Sequence, residues 1–167
     1  ARLRLGSDVA GNPIFGRVAR ENLTEKKLAR PEAKLQLGQA HSAVVLRSEA
    51  ERKTLMLSMK PTLRDSALPR IRSLADAKAG MLTHGVVLQV RHKAVIVGFF
   101  SNIKGVVFGS ELRATLGAAW DADPHSCYHE GQVVRVRVIL CEPSKRRLIL
   151  SRLTEEEAAA TPNLGAL

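Results

Sequence analysis

Aromatic residues are scarce: one Trp, one Tyr and four Phe make up 4% of the 167 residues. Any packed core must therefore rest on Val, Leu, Ile and Ala. Cysteine is scarcer still. Cys127 and Cys141 form no CxxC pair, which favours a reducing compartment over a disulfide-built secreted fold. No apolar run approaches the length of a membrane helix, and no charged-then-apolar leader opens the chain. No glycine-rich phosphate loop, GxSxG or HExxH occurs, and the carboxylates are scattered rather than paired. These absences argue against a catalytic centre, a resident cofactor, a membrane partner and a small-molecule substrate. Acidic residues are also in the minority. Sixteen Asp and Glu stand against twenty-six Lys and Arg, a net charge of +10, and such an excess favours polyanionic partners, chiefly nucleic acid.

What the sequence does have is an internal repeat, the feature to settle before any local reading. Displaced by 93 residues against itself, the chain lays Pro31 on Pro124, Gly38-Gln39 on Gly131-Gln132, Val45 on Val138, Glu49 on Glu142, Leu55 on Leu148 and Leu57-Ser58 on Leu150-Ser151. Upstream the offset becomes 89 and lays Gly16 on Gly105, Val18 on Val107 and Leu23 on Leu112. The second copy therefore carries four extra residues between Leu112 and Pro124.

Each copy ends in two strand patterns around a polar turn. Val134, Val136 and Val138 alternate with Arg135 and Arg137, a period of two with one apolar and one basic face. The Cys141-Glu-Pro-Ser-Lys-Arg146 segment supplies a turn, and Leu148-Ile-Leu150 resumes the strand. Three more strands are expected at Met81 to Val90, Lys93 to Phe100 and Lys104 to Phe108, with a short helix and loop between Ser110 and Glu130. Five strands with that insertion suit a closed oligonucleotide-binding (OB) barrel, which leaves no long edge exposed. The first copy reads alike but starts late: Arg2 to Leu5 is the end of a second strand, and Phe15 to Ala19 is the third. The opening at Ala1 therefore has the mark of a fragment. The fold expected is all-β: tandem five-stranded OB-fold barrels with short helical inserts. Residues 1–60 would be a barrel lacking its first strand, 61–77 a linker with one helical turn, 78–153 a complete barrel, and 154–167 a helical or flexible tail capped by Thr154. Leu23 to Leu37 has room for a helical turn with Thr24 as its N-cap. Twelve Lys and Arg against six acids in residues 1–60, and eleven against five in 78–153, give each copy the same charge of +6.

The order Gly85-Val-Val, Ile103-Lys-Gly-Val-Val107, Ser110-Glu-Leu112, Gly131-Gln-Val-Val-Arg-Val136 and Arg147-Leu-Ile-Leu-Ser151 resembles the S1 RNA-binding motif. Phe99-Phe-Ser-Asn-Ile-Lys-Gly105, the Asp123-Pro124 to Gln132 segment and Cys141-Glu-Pro-Ser-Lys145 are similar to a narrower group. This is the family of many-repeat ribosomal RNA-processing proteins of the eukaryotic nucleolus, the programmed cell death protein 11 family. The resemblance implies a nuclear, nucleolar scaffold that binds pre-ribosomal RNA and other ribosome-assembly proteins, acts in small-subunit assembly, and does not itself cut RNA.

Single strands are held by a basic groove together with rings on which bases stack. The resemblance places the family's first two ring positions on His92 and Val95, its third-strand position on Phe108, its carboxylate on Glu142 and its arginine on Arg147. The ring is thus lost at Val95. Basic residues at turns and on the polar strand face add Lys93, Lys104, Arg135, Arg137 and Arg146 to the expected RNA contacts. In the first copy Ala19 and Thr54 replace Phe108 and Arg147. That copy is accordingly expected to be a spacer or protein contact. His125, Cys127 and His129 would share a face only in extended chain, and the first copy lacks all three, so a metal site is not expected. Two further readings stand beside an RNA-binding scaffold: a protein-interaction spacer in a ribosome-assembly complex, and an accessory RNA-binding domain of a ribonuclease or translation factor.

Overall fold

The structure is a computed structural model and describes residues 1–26, 30, 35–49, 51 and 54–152. It divides into two compact units, Ala1–Ala67 and Leu68–Leu167.

In the second unit the alternation of valines sets the architecture. Val134, Val136 and Val138 point inward and are buried, and each fully buried Val or Leu contributes about 1.5–3 kcal/mol. Five strands surround this core. They are β5 (Leu82–Arg91), β6 (Ala94–Gly98), β7 (Lys104–Phe108), β8 (Val133–Glu142) and β9 (Arg147–Ser151). They close in the order β5-β6-β7-β9-β8 and back to β5. Closure depends on the long β5. Its first half pairs with β8, from Leu82↔Arg137 to Val86↔Val133, and its second half with β6, from Val86↔Gly98 to Arg91↔Ala94. A bulge between Val87 and Gln89 adds the bend that a closed sheet requires. The expected five strands and their order along the chain are therefore present.

Between β7 and β8 the chain makes three helical pieces, α2 (Gly109–Leu116), α3 (Ala118–Ala122) and α4 (Pro124–Cys127), where one short helix and a loop were expected. They carry Leu112, Trp120 and Tyr128 into the core, and Trp120 is fully buried with its ring edge-on to Tyr128. Glu111 anchors the insert to the end of β9: its carboxylate accepts hydrogen bonds from the Ser151 hydroxyl at 2.8 Å and the Arg152 amide at 2.6 Å. Because α4 is helical, His125 and Cys127 do not alternate as extended chain would.

The first unit is an open four-stranded sheet in the order β1-β2-β4-β3: β1 (Arg2–Ser7), β2 (Pro13–Val18), β3 (Val44–Glu49) and β4 (Thr54–Ser58). This order is that of β6-β7-β9-β8 in the barrel. The agreement reaches individual pairs. Val45↔Leu57 and Arg47↔Met56, with a bulge between them, lie 93 residues before Val138↔Leu150 and Leu140↔Ile149, which have the same bulge. Gly16 and Gly105 both let a leucine of the parallel neighbour, Leu57 or Leu150, pack where a Cβ would stand. No fifth strand closes the first sheet among its described residues. Val45 is accordingly 47% exposed, whereas its counterpart Val138 is wholly buried.

The segment expected as a linker is divided between the units. Pro61–Arg64 forms α1 in the first, with Leu63 buried. Residues 68–77 instead pack on the barrel. Ile71 is fully buried in its core, and Leu74 and Ala77 join it. The Ile71 carbonyl accepts from the Phe100 amide at 3.1 Å, the Pro69 carbonyl accepts from the Thr83 hydroxyl at 2.6 Å, and the Arg70 guanidinium lies over the Phe100 ring. The helical turn expected over Leu23 to Leu37 falls largely on residues outside those described. The Thr24 hydroxyl donates to the Lys26 carbonyl. The tail helix expected from Thr154 also lies outside the described residues.

Candidate nucleic-acid interface

The outer face of the four strands β6-β7-β9-β8 is built of rungs set by register. In the middle rung Ile96 pairs with Val106, Val106 with Ile149, and Ile149 with Leu140. Their sequence neighbours Val95, Val97, Val107, Leu148 and Leu150 are buried, so Ile96, Val106 and Ile149 face outward, and their partner Leu140 is itself 40% exposed. They form an aliphatic row across the sheet that the sequence reading missed. Its only signal there was the repeat register combined with alternation.

On one side of this row stands Phe108, paired with Ala94 and 43% exposed. It faces outward rather than into the core, as a stacking ring must. Beside it is the β5–β6 turn with His92 and Lys93, both exposed. The two segments are held together by the Gly109 amide, which donates to the Lys93 carbonyl at 2.8 Å. A Cβ at Gly109 would lie 2.9 Å from the Lys93 carbonyl carbon and oxygen, so glycine permits this approach. Two strands away Arg137, paired with Ser151, closes the same end of the face.

On the other side of the row the basic residues gather. Lys104 and Arg147 each lie two residues before the parallel pair Val106↔Ile149, and Glu142 pairs with Arg147. The Glu142 carboxylate accepts from the Lys145 ammonium at 2.8 Å and lies 3.7 Å from the Arg147 guanidinium. Both cations are more than half exposed. Glu142 thus acts as a charge partner within the turn. Arg146 holds the turn in the left-handed region at φ 51° with its side chain exposed.

Seven of the nine expected contact residues, all except Arg135 and Arg146, therefore line two sides of one face or its rim. Arg135 stands apart: it pairs with His84 on β5, and its carbonyl accepts from the Arg152 guanidinium at 2.6 Å. The ring position expected at Val95 is instead part of the core. Val95 is 2% exposed and pairs with Val107 inside the barrel. The outward positions beside it are Ala94 and Ile96, so the surface there is aliphatic because of the residue at 96.

Among known families, the S1 RNA binding domain matches residues 76–153. Residues 76–153 are an S1 RNA-binding domain. The chain is 38% identical to the human protein RRP5 homolog over 84% of its own length, and 31% identical to the Arabidopsis thaliana rRNA biogenesis protein RRP5 over 78%. It spans only 7% and 6% of those relatives. A solved structure from the a/eIF2alpha-aDim2p-rRNA complex of Pyrococcus horikoshii OT3 is similar at a TM-score of 0.40 and 19% identity, over 51% of each chain. In this domain Phe108, Lys104 and Arg147 are exposed, with the aliphatic row between them.

Proposed function

We propose that the chain is an RNA-holding module of a pre-ribosomal RNA-processing scaffold, acting in small-subunit assembly in the nucleolus. Its first unit would be the last four strands of a second S1-type barrel. The RNA is bound without being cut, and other assembly proteins are the further partners. The observation that carries this reading is the outer face of the S1 domain, where Phe108 offers a stacking surface and Lys104 and Arg147 offer phosphate contacts across one sheet. The similarity to RRP5 proteins supports pre-ribosomal RNA as the substrate class.

One observation favours a second reading, a protein-docking spacer: the row Ile96, Val106, Ile149, Leu140 is aliphatic and outward-facing. Titration of the full chain with labelled single-stranded RNA separates the two. Phe108→Ala should weaken binding by about 1–3 kcal/mol for one lost stack. Removal of Lys104 and Arg147 should lower the salt slope by about 0.7 per lost phosphate contact. Unchanged affinity and slope in both variants would support the protein-docking reading instead.

A further inference from the structure

The repeat register allows the same outer row to be compared in the two units. In the first unit Val18 and Leu57 are buried at 1% exposure, as their counterparts Val107 and Leu150 are. Arg17 and Met56, the residues before them, therefore face outward as Val106 and Ile149 do, and their register partners Arg2 and Arg47 share that face. The aliphatic row of the S1 domain is replaced by Arg2, Arg17, Met56 and Arg47. Arg2 pairs with Arg17, Arg17 with Met56, and Met56 with Arg47. The next rung adds Arg4 paired with Phe15. Arg2, Arg4 and Arg17 are exposed. Arg47 is held by Glu49 at 2.9 Å.

The fold does not account for this row. Like charges directly opposite on neighbouring strands destabilise a sheet, and Arg2 faces Arg17 with Arg4 one rung away. Local conflicts of this kind concentrate where a surface serves a ligand. The Arg2 guanidinium also lies 3.8 Å from the centre of the Phe15 ring, which joins a cation to a stacking platform. A polyanion crossing the strands would neutralise the repulsion, and a base could stack on the paired guanidinium and ring.

We propose that the outer face of the first unit is a second single-stranded RNA-binding site, built from Arg2, Arg4, Arg17 and Phe15. This reverses the expectation drawn from Ala19 and Thr54, where the family's ring and arginine positions are vacant. The first unit binds phosphate through different residues of the same face, while the S1 domain relies on Phe108 and its rim. The inference shares with the proposed function only the class of ligand.

The test uses the full 167-residue chain and a fluorescein-labelled oligouridylate, read by anisotropy across a salt series. The background is Phe108→Ala, Lys104→Gln, Arg147→Gln, which removes the exposed ring and two cations of the S1-domain face. In that background Arg2→Gln, Arg4→Gln, Arg17→Gln should lower affinity at least about tenfold and the salt slope by about 2, for three contacts at ~0.7 each. The triple Arg→Lys variant should keep the slope. A Gln triple that binds as its parent does overturns the proposal. So does a Lys triple that loses as much as the Gln triple, which would read as damage to the sheet. Absence of any RNA binding by the unaltered chain would sink the proposed function as well. Loss confined to the S1-domain variants sinks this inference alone.

Discussion

Replacing Ile71 by Ala tests whether residues 68–77 are part of the barrel rather than a tether to it. Ile71 has no exposed surface and lies in the same cluster as Val87, Val97, Val138 and Leu150. Three carbons leave the core, about 2.4 kcal/mol at ~0.8 per methylene. A cavity remains because Phe100, which hydrogen-bonds the Ile71 carbonyl, fixes the backbone there. The expected loss is about 3–4 kcal/mol, inside the 2–5 range for buried Ile to Ala. Trp120 is the sole tryptophan and is fully buried in that same cluster. Its fluorescence during urea unfolding therefore reports on the barrel unit without interference from the first. Arg72→Ala, at an exposed position one residue away, should shift stability by no more than about 0.5 kcal/mol. A loss below about 1 kcal/mol for Ile71→Ala would refute the reasoning, and the barrel would then begin near Met81.

Further expectations follow from single contacts. Glu142→Gln frees Lys145 and Arg147 from their partner and should raise RNA affinity by up to about fivefold, the equivalent of ~1 kcal/mol for an exposed pair; a fall in affinity would make Glu142 a base reader instead. Gly109→Ala places a methyl against the Lys93 backbone and should cost about 1–3 kcal/mol in urea unfolding, and an unchanged midpoint would show that the turn can move away. The Asp76 carboxyl is held below the usual carboxylate range because it accepts hydrogen bonds from the Arg72 and Ser73 amides. A depressed value means that its stabilisation is present above the ordinary carboxylate range and is lost as pH falls through the lower folded value. Thermal melts should therefore fall with acidification less in Asp76→Ala than in the unaltered chain, and parallel pH profiles would remove Asp76 from the account.

The strands were legible because each buried position alternates with an exposed one. Val134, Val136 and Val138 against Arg135 and Arg137 left no doubt about period, and the offset of 93 held down to the bulge that precedes Arg47 and Leu140. The packing of residues 68–77 was not legible. Pro69, Arg70 and Arg72 look like linker composition, and nothing local marks Ile71 as a core residue. The outward placement of Phe108 and the turn position of Arg147 were legible from strand alternation and turn residues. The ring position expected at Val95 is a core position, because a family pattern does not show which face a strand residue occupies and a one-residue slip exchanges core for surface. The arginine row of the first unit escaped notice for a related reason. Arg2, Arg17 and Arg47 are far apart in sequence, and only pairing between strands makes them neighbours.

The most direct test of the central claim is a map of amide chemical shifts in the full chain as single-stranded RNA is added. The largest changes in the S1 domain should fall on β6, β7, β9 and the β8–β9 turn, at Ala94, Lys104, Phe108, Glu142 and Arg147. Changes confined to the opposite strand β5, at Leu82, His84 and Val86, would contradict it.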